Sequence, residues 1–202
     1  MNSNQRANLS SSVDSLCEAL NGAWSYFHLL QGLHEGGLKN PEALRRFSWF
    51  FERTWTAIYE SFFAKVGTLI DGTKGVHSIP NVVRMARRYL DSEKVALLPA
   101  IEQAISNTDG PFHKFKNWRH QVVAHRTDKG RAHEFYIDNK MHLPEVEQAL
   151  IQLERLLNQI SVLALSLHTD VRSGSSGLVA EGRILFECIT STPKANQHEG
   201  CE

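Results

Sequence analysis

Twelve residues, NWRHQVVAHRTD at positions 117–128, combine concentrated positive charge, two histidines and helical spacing as no other stretch of the chain does. On an ideal helix of about 100° per residue, Arg119 and Arg126 fall within an apolar face. That face consists of Phe112, Phe115, Trp118, Val122 and Val123. Because a guanidinium keeps its proton and is costly to bury alone, both arginines need carboxylate partners, a wet cleft or a second subunit. His125 lies at the edge of the face, whereas His120 points to the opposite side.

The positive charge extends into a local patch, although the whole chain is neutral, with 22 lysines and arginines against 22 acids. Non-specific binding of polyanions by the entire molecule is therefore not expected. Between His113 and His133 the cationic side chains face a single acid, Asp128. They are Lys114, Lys116, Arg119, Arg126, Lys129 and Arg131. The patch indicates either a nucleic-acid contact surface or a solvated face balanced by later acids such as Glu145.

Before the motif, apolar residues recur at intervals of three and four, which predicts amphipathic helices. A first helix contains Val13 and is expected to end at the glycines 32, 36 and 37. Asn40 and Pro41 then supply an N-cap and a first-turn proline for a long second helix that reaches Leu69. Its aromatic stripe is interpreted as core, and the width of the stripe indicates burial on more than one side, in a bundle or a dimer.

The remaining segments predict further helices. Residues 82–90 and 93–106 are expected to be helical, with Pro99 as a kink or as the start of a new first turn. Pro111 starts the helix that carries the motif. Residues 135–143 alternate in a way typical of a loop or a small hairpin. A second long helix begins at Pro144, a flexible connector covers residues 173–177, and a last helix covers residues 178–189. The predicted fold is an all-α bundle with two long antiparallel helices, several shorter ones and at most a minor hairpin.

Length and composition bound the class of protein. One domain over residues 1–202 is expected, with disordered tails at residues 1–8 and 194–202. The three cysteines are widely spaced and form no CxxC pair, so neither a disulfide framework nor a zinc knuckle is predicted. The polar N-terminus lacks the apolar segment of a signal peptide, and the most apolar helix, residues 156–167, is too short to span a bilayer. These features predict a soluble, cytoplasmic protein without a membrane partner.

Arg119 and His125 are separated by five residues, and Ala124-His125-Arg126 is followed by an acid. This pattern resembles the Arg-x(4–6)-His motif of HEPN domains, the "higher eukaryotes and prokaryotes nucleotide-binding" superfamily. The Ala-His-Arg ending and the long flanking helices are most similar to the bacterial abortive-infection and toxin branch. The resemblance implies a HEPN helical bundle over most of the chain. The family often has Asn after the arginine, where this chain has His120.

The resemblance implies a metal-independent endoribonuclease of toxin or antiphage type, a homodimer in which two motifs face each other across a two-fold axis. His125 would transfer protons near neutral pH, and Arg119 would stabilise the negative charge on phosphorus as the RNA 2′-hydroxyl attacks. The products would be a 2′,3′-cyclic phosphate and a 5′-hydroxyl. No cofactor is implied, and an antitoxin or regulatory protein would be a further partner. The predicted RNA contacts are Arg126, His120, Lys114, Lys116 and Lys129.

Geometry places one condition on this assignment. On an ideal helix Arg119 and His125 lie about 9 Å apart in rise and some 120° apart in direction, so they do not converge on one phosphate. The long reach of Arg119, a distortion of the helix near Ala124, or a second subunit would have to bring them together.

Other interpretations remain open at the level of sequence. Arg119 could be a structural guanidinium held by an acid from another helix, and His125 a histidine at the edge of the core. The chain would then be a catalytically inactive HEPN-like module that binds a protein partner or a nucleotide, or simply a structural helical dimer. A metal site built from histidines is disfavoured, since no acid or cysteine stands at ligand spacing with them. These histidines are His113, His120, His125 and His133.

Overall fold

The computed structural model describes residues 1–107, 110–124, 138–169, 171 and 177–191, and only the backbone at 122–124 and 189–191. Its elements are α1 (Ser3–Lys39), α2 (Pro41–Arg46), α3 (Ser48–Leu69), α4 (Ile79–Tyr89), α5 (Ser92–Val95), α6 (Leu98–Ser106), α7 (Pro111–Trp118), a π-helical turn (Arg119–Ala124), α8 (Leu143–Leu165) and α9 (Gly177–Ser191). This confirms the predicted all-α bundle. The described residues form no strand, and this includes residues 138–143 of the segment considered for a hairpin. Residues 135–137 of that segment, residues 173–176 and the tail 194–202 lie outside the described residues.

Helix α1 begins earlier than expected. A capping box starts it, in which Asn2 accepts a hydrogen bond from the backbone of Gln5 at 2.9 Å and the Gln5 side chain accepts one from the Asn2 backbone at 2.8 Å. Leu9 is fully buried, and Arg6 donates to the carbonyl of Leu165 at 2.7 Å. Residues 3–8, expected in a disordered tail, are therefore helical, because their backbone is capped and tied to the end of α8.

The glycines near the end of α1 do not terminate it, contrary to the sequence-based expectation. The helix continues through them to Lys39. A Cβ on Gly32 would lie 2.5 Å from the carbonyl oxygen of Val179, and one on Gly36 would lie 2.5 Å from the ring of Phe186. These residues are glycine because α9 packs directly against the backbone of α1, and the packing compensates for their low helix propensity.

The junction after α1 also differs from the prediction. Pro41 stands in the first turn of α2, as predicted, but the Asn40 side chain caps no helix start and instead donates to the carbonyl of Gly36 at 3.1 Å. Asn40 therefore closes the preceding helix. The long second helix is interrupted at Phe47, whose φ of −116° and ψ of 32° separate α2 from α3. Further on, Pro99 occupies the first turn of α6, after a break that separates α6 from α5.

Helix α1 is the axis of the bundle, and contacts along it define the directions of its neighbours. The start of α1 meets the end of α8 through Arg6 and Leu165, so these helices are antiparallel. Helix α3 is antiparallel to α1, since Gly22 lies against Lys65 and His34 against Trp55. Helix α9 runs parallel to α1. No helix among the described residues is long and apolar enough to cross a membrane.

Candidate active site

Aromatic packing positions the helix that carries the motif. Phe112 and Phe115 of α7 are fully buried. The ring of Phe115 lies 5.2 Å from that of Phe63 on α3, and Trp118 stacks on Phe63 at 5.0 Å. Tyr59 meets Trp118 edge to face at 5.3 Å. The predicted aromatic stripe of α3 is thus core at Phe62 and Phe63, whereas Phe50 is exposed. The packing of Phe63 orients the residues that follow Trp118.

The helix changes its hydrogen-bonding pattern at the first residue of the motif. From Arg119 to Ala124 the backbone forms a π-helix, in which each carbonyl pairs with an amide five residues ahead. The α-helical separation calculated for Arg119 and His125 therefore does not apply between them. A distortion before the histidine, one of the three devices considered from sequence, is present in the backbone. His125, Arg126 and Lys129 themselves lie outside the described residues.

Arg119 has a carboxylate partner from a different part of the bundle. Its Nη1 donates to Oδ2 of Asp71 at 2.6 Å. Asp71 follows the end of α3, and its side chain is only 11% exposed, whereas that of Arg119 is 34% exposed. Among the described residues this is the one hydrogen bond of the guanidinium, and Nε and Nη2 have no acceptor there. The arginine is thus held on one side and accessible on the other.

The loop around Asp71 keeps that carboxylate ionised. Its Oδ1 accepts the backbone N–H of Thr73 at 2.8 Å. Burial raises the pKa of Asp71, but the hydrogen bonds of Thr73 and the positive charge of Arg119 outweigh burial and leave the pKa below its ordinary value. The partner of Arg119 is therefore an anion at neutral pH. Asp71 was not among the site residues predicted from the sequence; the available signal was an acid directly after the apolar stripe of α3.

Gly67 allows Arg119 to lie flat against α3. A Cβ at this position would stand 2.2 Å from Cδ and 2.7 Å from Cβ of the arginine. Any larger residue would displace the arginine from its base and not only from its flexible end. Gly67 and Asp71 therefore hold the aliphatic stem and the guanidinium of Arg119, respectively.

Two of the three lysines predicted to contact RNA, Lys114 and Lys116, have partners within the chain. Lys114 donates to the carbonyl of Lys140 at 2.8 Å and to Glu145 at 3.1 Å. Lys116 donates to the carbonyl of Ile105 at 2.8 Å; burial lowers its pKa, and the charge of Asp71 opposes that shift. Both ammonium groups therefore help to position α7. His120 is exposed, on the outer side where the helical projection placed it.

The chain returns to α7 after the residues that are not described. The Trp118 indole donates to the carbonyl of Asn139 at 2.9 Å, and the Asn117 amide donates to the Asn139 side chain at 2.9 Å. Asn139 is 93% buried, since its relative exposure is 7%. Where the described chain resumes at Asp138, Asn139 is thus hydrogen-bonded to the end of α7, next to Arg119.

A groove of about 630 Å³ opens beside the end of α7. It lies along α3, and four aromatic side chains and two glutamates are among the residues that line it. Its walls include Phe51, Trp55, Tyr59, Trp118, Glu52 and Glu60.

Comparison with known proteins agrees with the fold and the motif. The HEPN family described as AbiU2 matches residues 7–176, which is most of the chain. The chain belongs to the HEPN AbiU2 family. It is a HEPN-superfamily domain of the abortive-infection branch. Neither the curated proteins nor the solved structures compared with it include a significant match.

The family assignment covers the whole motif helix and the connection that supplies Asp71. Within this HEPN AbiU2 domain, the structure brings together Arg119, Asp71 and Gly67, and it directs Lys114 and Lys116 to other partners. In the described part of the chain, no three His, Cys, Asp or Glu residues are grouped closely enough to hold a metal ion. His125 and His133 lie outside that part.

Proposed function

We propose that this abortive-infection HEPN domain is a metal-independent endoribonuclease that cleaves RNA through its 2′-hydroxyl. One observation carries the proposal: Arg119, whose side chain is 34% exposed, is held by Asp71 through Nη1 at the start of a π-helical turn that leads to His125. The free edge of a guanidinium can pair with two phosphate oxygens at once. A fixed cation with such an edge suits the charge that accumulates on phosphorus during cleavage.

The chemistry needs one proton acceptor and one proton donor. The 2′-oxygen bonds to phosphorus as its proton passes to a base, and the bond from phosphorus to the 5′-oxygen breaks as that oxygen receives a proton. His125 is assigned to proton transfer, because an imidazole titrates near neutral pH. In a homodimer with facing motifs, the His125 of each copy can perform one of the two transfers. The products are a 2′,3′-cyclic phosphate and a 5′-hydroxyl.

The homodimer is part of the proposal, and the outer face of α3 supports it. Trp49 is 70% exposed and Phe50 is 46% exposed, which is unusual for large apolar side chains. The same helix lines the aromatic groove next to Trp118. A second copy packed on this face would bury these aromatic residues.

A second candidate function is a catalytically inactive module that binds a protein partner, such as an antitoxin, or a nucleotide. The internal pairing of Lys114 and Lys116 favours this candidate, because it removes two of the predicted RNA contacts. Arg126, Lys129 and His120 remain as proposed contacts in either case.

Cleavage of a labelled single-stranded RNA by the full chain tests the proposal. His125→Ala should lower the rate at least about a hundredfold, the usual contribution of general acid–base catalysis. His113→Ala is the matched control, since His113 is an exposed histidine of α7, and it should cleave at the wild-type rate. Chelation of metals should have no effect, and a 2′-deoxy nucleotide at the cleaved position should block the reaction.

Equal cleavage by wild type and His125→Ala would reject the assignment of His125. No cleavage by the wild type, combined with retained affinity for a partner or nucleotide, would favour the binding module instead.

A further inference from the structure

A second basic site lies outside the motif helix, between the α3–α4 connection and α4. It is a pocket of about 330 Å³. Its lining includes Lys74, His77, Arg84 and Arg88, and none of the described residues that line it is acidic. In a chain of zero net charge, three permanent cations and a histidine around one small cavity require an explanation. A solvated basic face would be expected to be convex and to have acids interspersed.

Hydrogen bonds to α4 hold the pocket wall in place. The Asn81 amide donates to the carbonyls of Thr73 and Val76 at 2.8 and 2.6 Å. Arg84 donates through Nη2 to the carbonyl of Gly72 and through Nε to that of Pro80 at 3.3 Å. The connection is thus fastened to the helix by side chains that also line the pocket. A site built in this way is preorganised, so little conformational entropy is lost when a ligand binds.

The charges on α4 are used in two different ways. Arg87 forms an ion pair with Glu102 of α6 at 2.6 Å, so its charge is neutralised. Arg84 and Arg88 lie one turn apart and face the pocket with Lys74. Within the described chain, Lys74, His77, Arg84 and Arg88 form no ion pair with an acid. Two adjacent arginines of one helix therefore have opposite roles.

The helix terminus adds to the positive potential of the pocket. Ser78, the N-cap of α4, lines it, and the first turn of this eleven-residue helix contains no acid. The N-terminal end of a helix carries a partial positive charge and attracts anions. An anion in the pocket would receive this contribution in addition to the side-chain cations.

The pocket is linked to Arg119 through one loop. Arg119 binds Asp71, and Arg84 binds the carbonyl of Gly72, the next residue. The guanidinium groups of the motif and of the pocket are therefore attached to neighbouring positions of the same connection. This arrangement suits a ligand with several phosphates in a row.

We propose that the pocket formed by Lys74, His77, Arg84 and Arg88 binds phosphate groups of a nucleotide or of an RNA strand. Phosphate binding follows from the pocket alone. Its use by an RNA strand whose next phosphates reach Arg119 rests on the proposed ribonuclease function.

Fluorescence anisotropy with the full chain tests this inference. The probe is a labelled single-stranded RNA in which every 2′-hydroxyl is methylated, so that binding is measured without cleavage. The double variant Lys74→Gln/Arg88→Gln removes two pocket cations. Its control, Arg45→Gln/Arg87→Gln, removes the same charge from two ion-paired arginines outside the pocket. Arg84 is left intact because it also holds the loop. Thermal unfolding of each variant verifies that the fold is retained.

The pocket variant should bind the methylated strand at least about tenfold more weakly, since each of the two cations would donate a charge-assisted hydrogen bond to phosphate. The slope of log affinity against log salt concentration should fall by about 0.7 for each phosphate that is no longer neutralised, or about 1.4 in all. The control should match the wild type in both measurements. Calorimetry with ATP separates the sources: weaker binding of ATP alone identifies a nucleotide site, and weaker binding of the strand identifies a strand site.

The inference would be overturned if the pocket variant bound the methylated strand as tightly as the wild type does, and also bound ATP as tightly as the wild type does. An equal weakening in the control variant, or no affinity of the wild type for either probe, would also overturn it. Cleavage of unmethylated RNA keeps the two proposals separate. A wild type that binds through the pocket but does not cleave rejects the ribonuclease alone, whereas cleavage with unchanged binding rejects the pocket alone.

Discussion

At the residue scale, the central feature is an arginine with one satisfied and one accessible side. The ion pair with Asp71 offsets part of the desolvation free energy of the partly buried Arg119 guanidinium. Gly67 leaves space for the aliphatic part of the Arg119 side chain. A completely paired guanidinium would be structural only, and an unpaired one would be costly to bury and free to move. Arg119 is neither fully paired nor unpaired. This suits a cation that must stabilise the negative charge of a phosphate without changing its own position.

The ion pair also predicts a pH dependence of stability. Because the pKa of Asp71 is depressed in the folded state, its contribution is fully present above the unfolded pKa of about 4 and is lost as pH falls through the lower folded pKa. Asp71→Asn should therefore lower the free energy of unfolding at pH 7 by about 1 kcal/mol, a value discounted for the partial exposure of Arg119. The difference from wild type should shrink as the solution is acidified below about pH 4.

Urea unfolding between neutral and acidic pH measures this difference. Asp14→Asn is the control, because Asp14 is exposed on α1 and the substitution changes the net charge equally. If the difference in unfolding free energy between Asp71→Asn and the wild type stayed constant below about pH 4, the ion pair would not be the source of that difference.

At the element scale, close packing determines where helices continue or end. The α1 glycines coincide with contacts to α9: Gly182 lies so close that a Cβ on it would stand 3.0 Å from the Gly32 backbone. Two helices with glycine at their contact can approach more closely than side chains would allow. Phe186 fills the space above Gly36 and stacks on Phe51 of α3 at 4.3 Å, so this contact also joins α9 to α3.

Two substitutions on the same helix should therefore have opposite effects. Gly32→Ala should destabilise the fold by about 1 to 3 kcal/mol, because its Cβ would meet a backbone carbonyl that cannot move aside. Gly22→Ala should be neutral or stabilising by up to about 1 kcal/mol, since it meets only the flexible end of Lys65 and alanine favours the helix. Thermal unfolding of both variants measures the contrast. If Gly32→Ala were as stable as Gly22→Ala, the close α1–α9 contact would be refuted.

At the scale of the whole molecule, the distribution of apolar surface is uneven. Phe51, Phe62 and Phe63 of α3 are in the core, but Trp49 and Phe50 are exposed at its beginning. Arg53 covers part of Trp49, with its guanidinium carbon 5.8 Å from the ring centroid. An exposed aromatic pair next to an aromatic groove is typical of a surface that associates.

Trp49→Asp should convert the proposed homodimer into monomers, because it places a charge at the centre of the apolar face. Light scattering after size exclusion measures the mass. Ile184→Asp is the matched control, since Ile184 is a half-exposed apolar residue on α9, and it should remain dimeric. A wild type that is monomeric at high concentration, or a Trp49→Asp variant that stays dimeric, would contradict the assignment of this face.

Local pattern was sufficient for much of the fold. The helices built on Val13, Pro41, Pro111 and Pro144 are present near their predicted positions, and part of the aromatic stripe of α3 is core. The errors occurred where a distant element intervened. Glycines that usually end helices are retained inside α1 by contact with α9, and Asn40 caps the helix before it instead of the one after it.

The sequence by itself determined the helical class of the fold, the family motif and the condition that Arg119 needs a carboxylate, a cleft or a second subunit. Hydrophobic periodicity and local charge depend on residues that are close together in the chain, so they can be recognised without a structure. Only the tertiary structure decided that the partner is Asp71, 48 residues earlier, that Lys114 and Lys116 are engaged internally, and that Lys74 shares a pocket with Arg84 and Arg88. Such pairings depend on how helices pack, and helix packing is a property of the whole chain rather than of any one stretch.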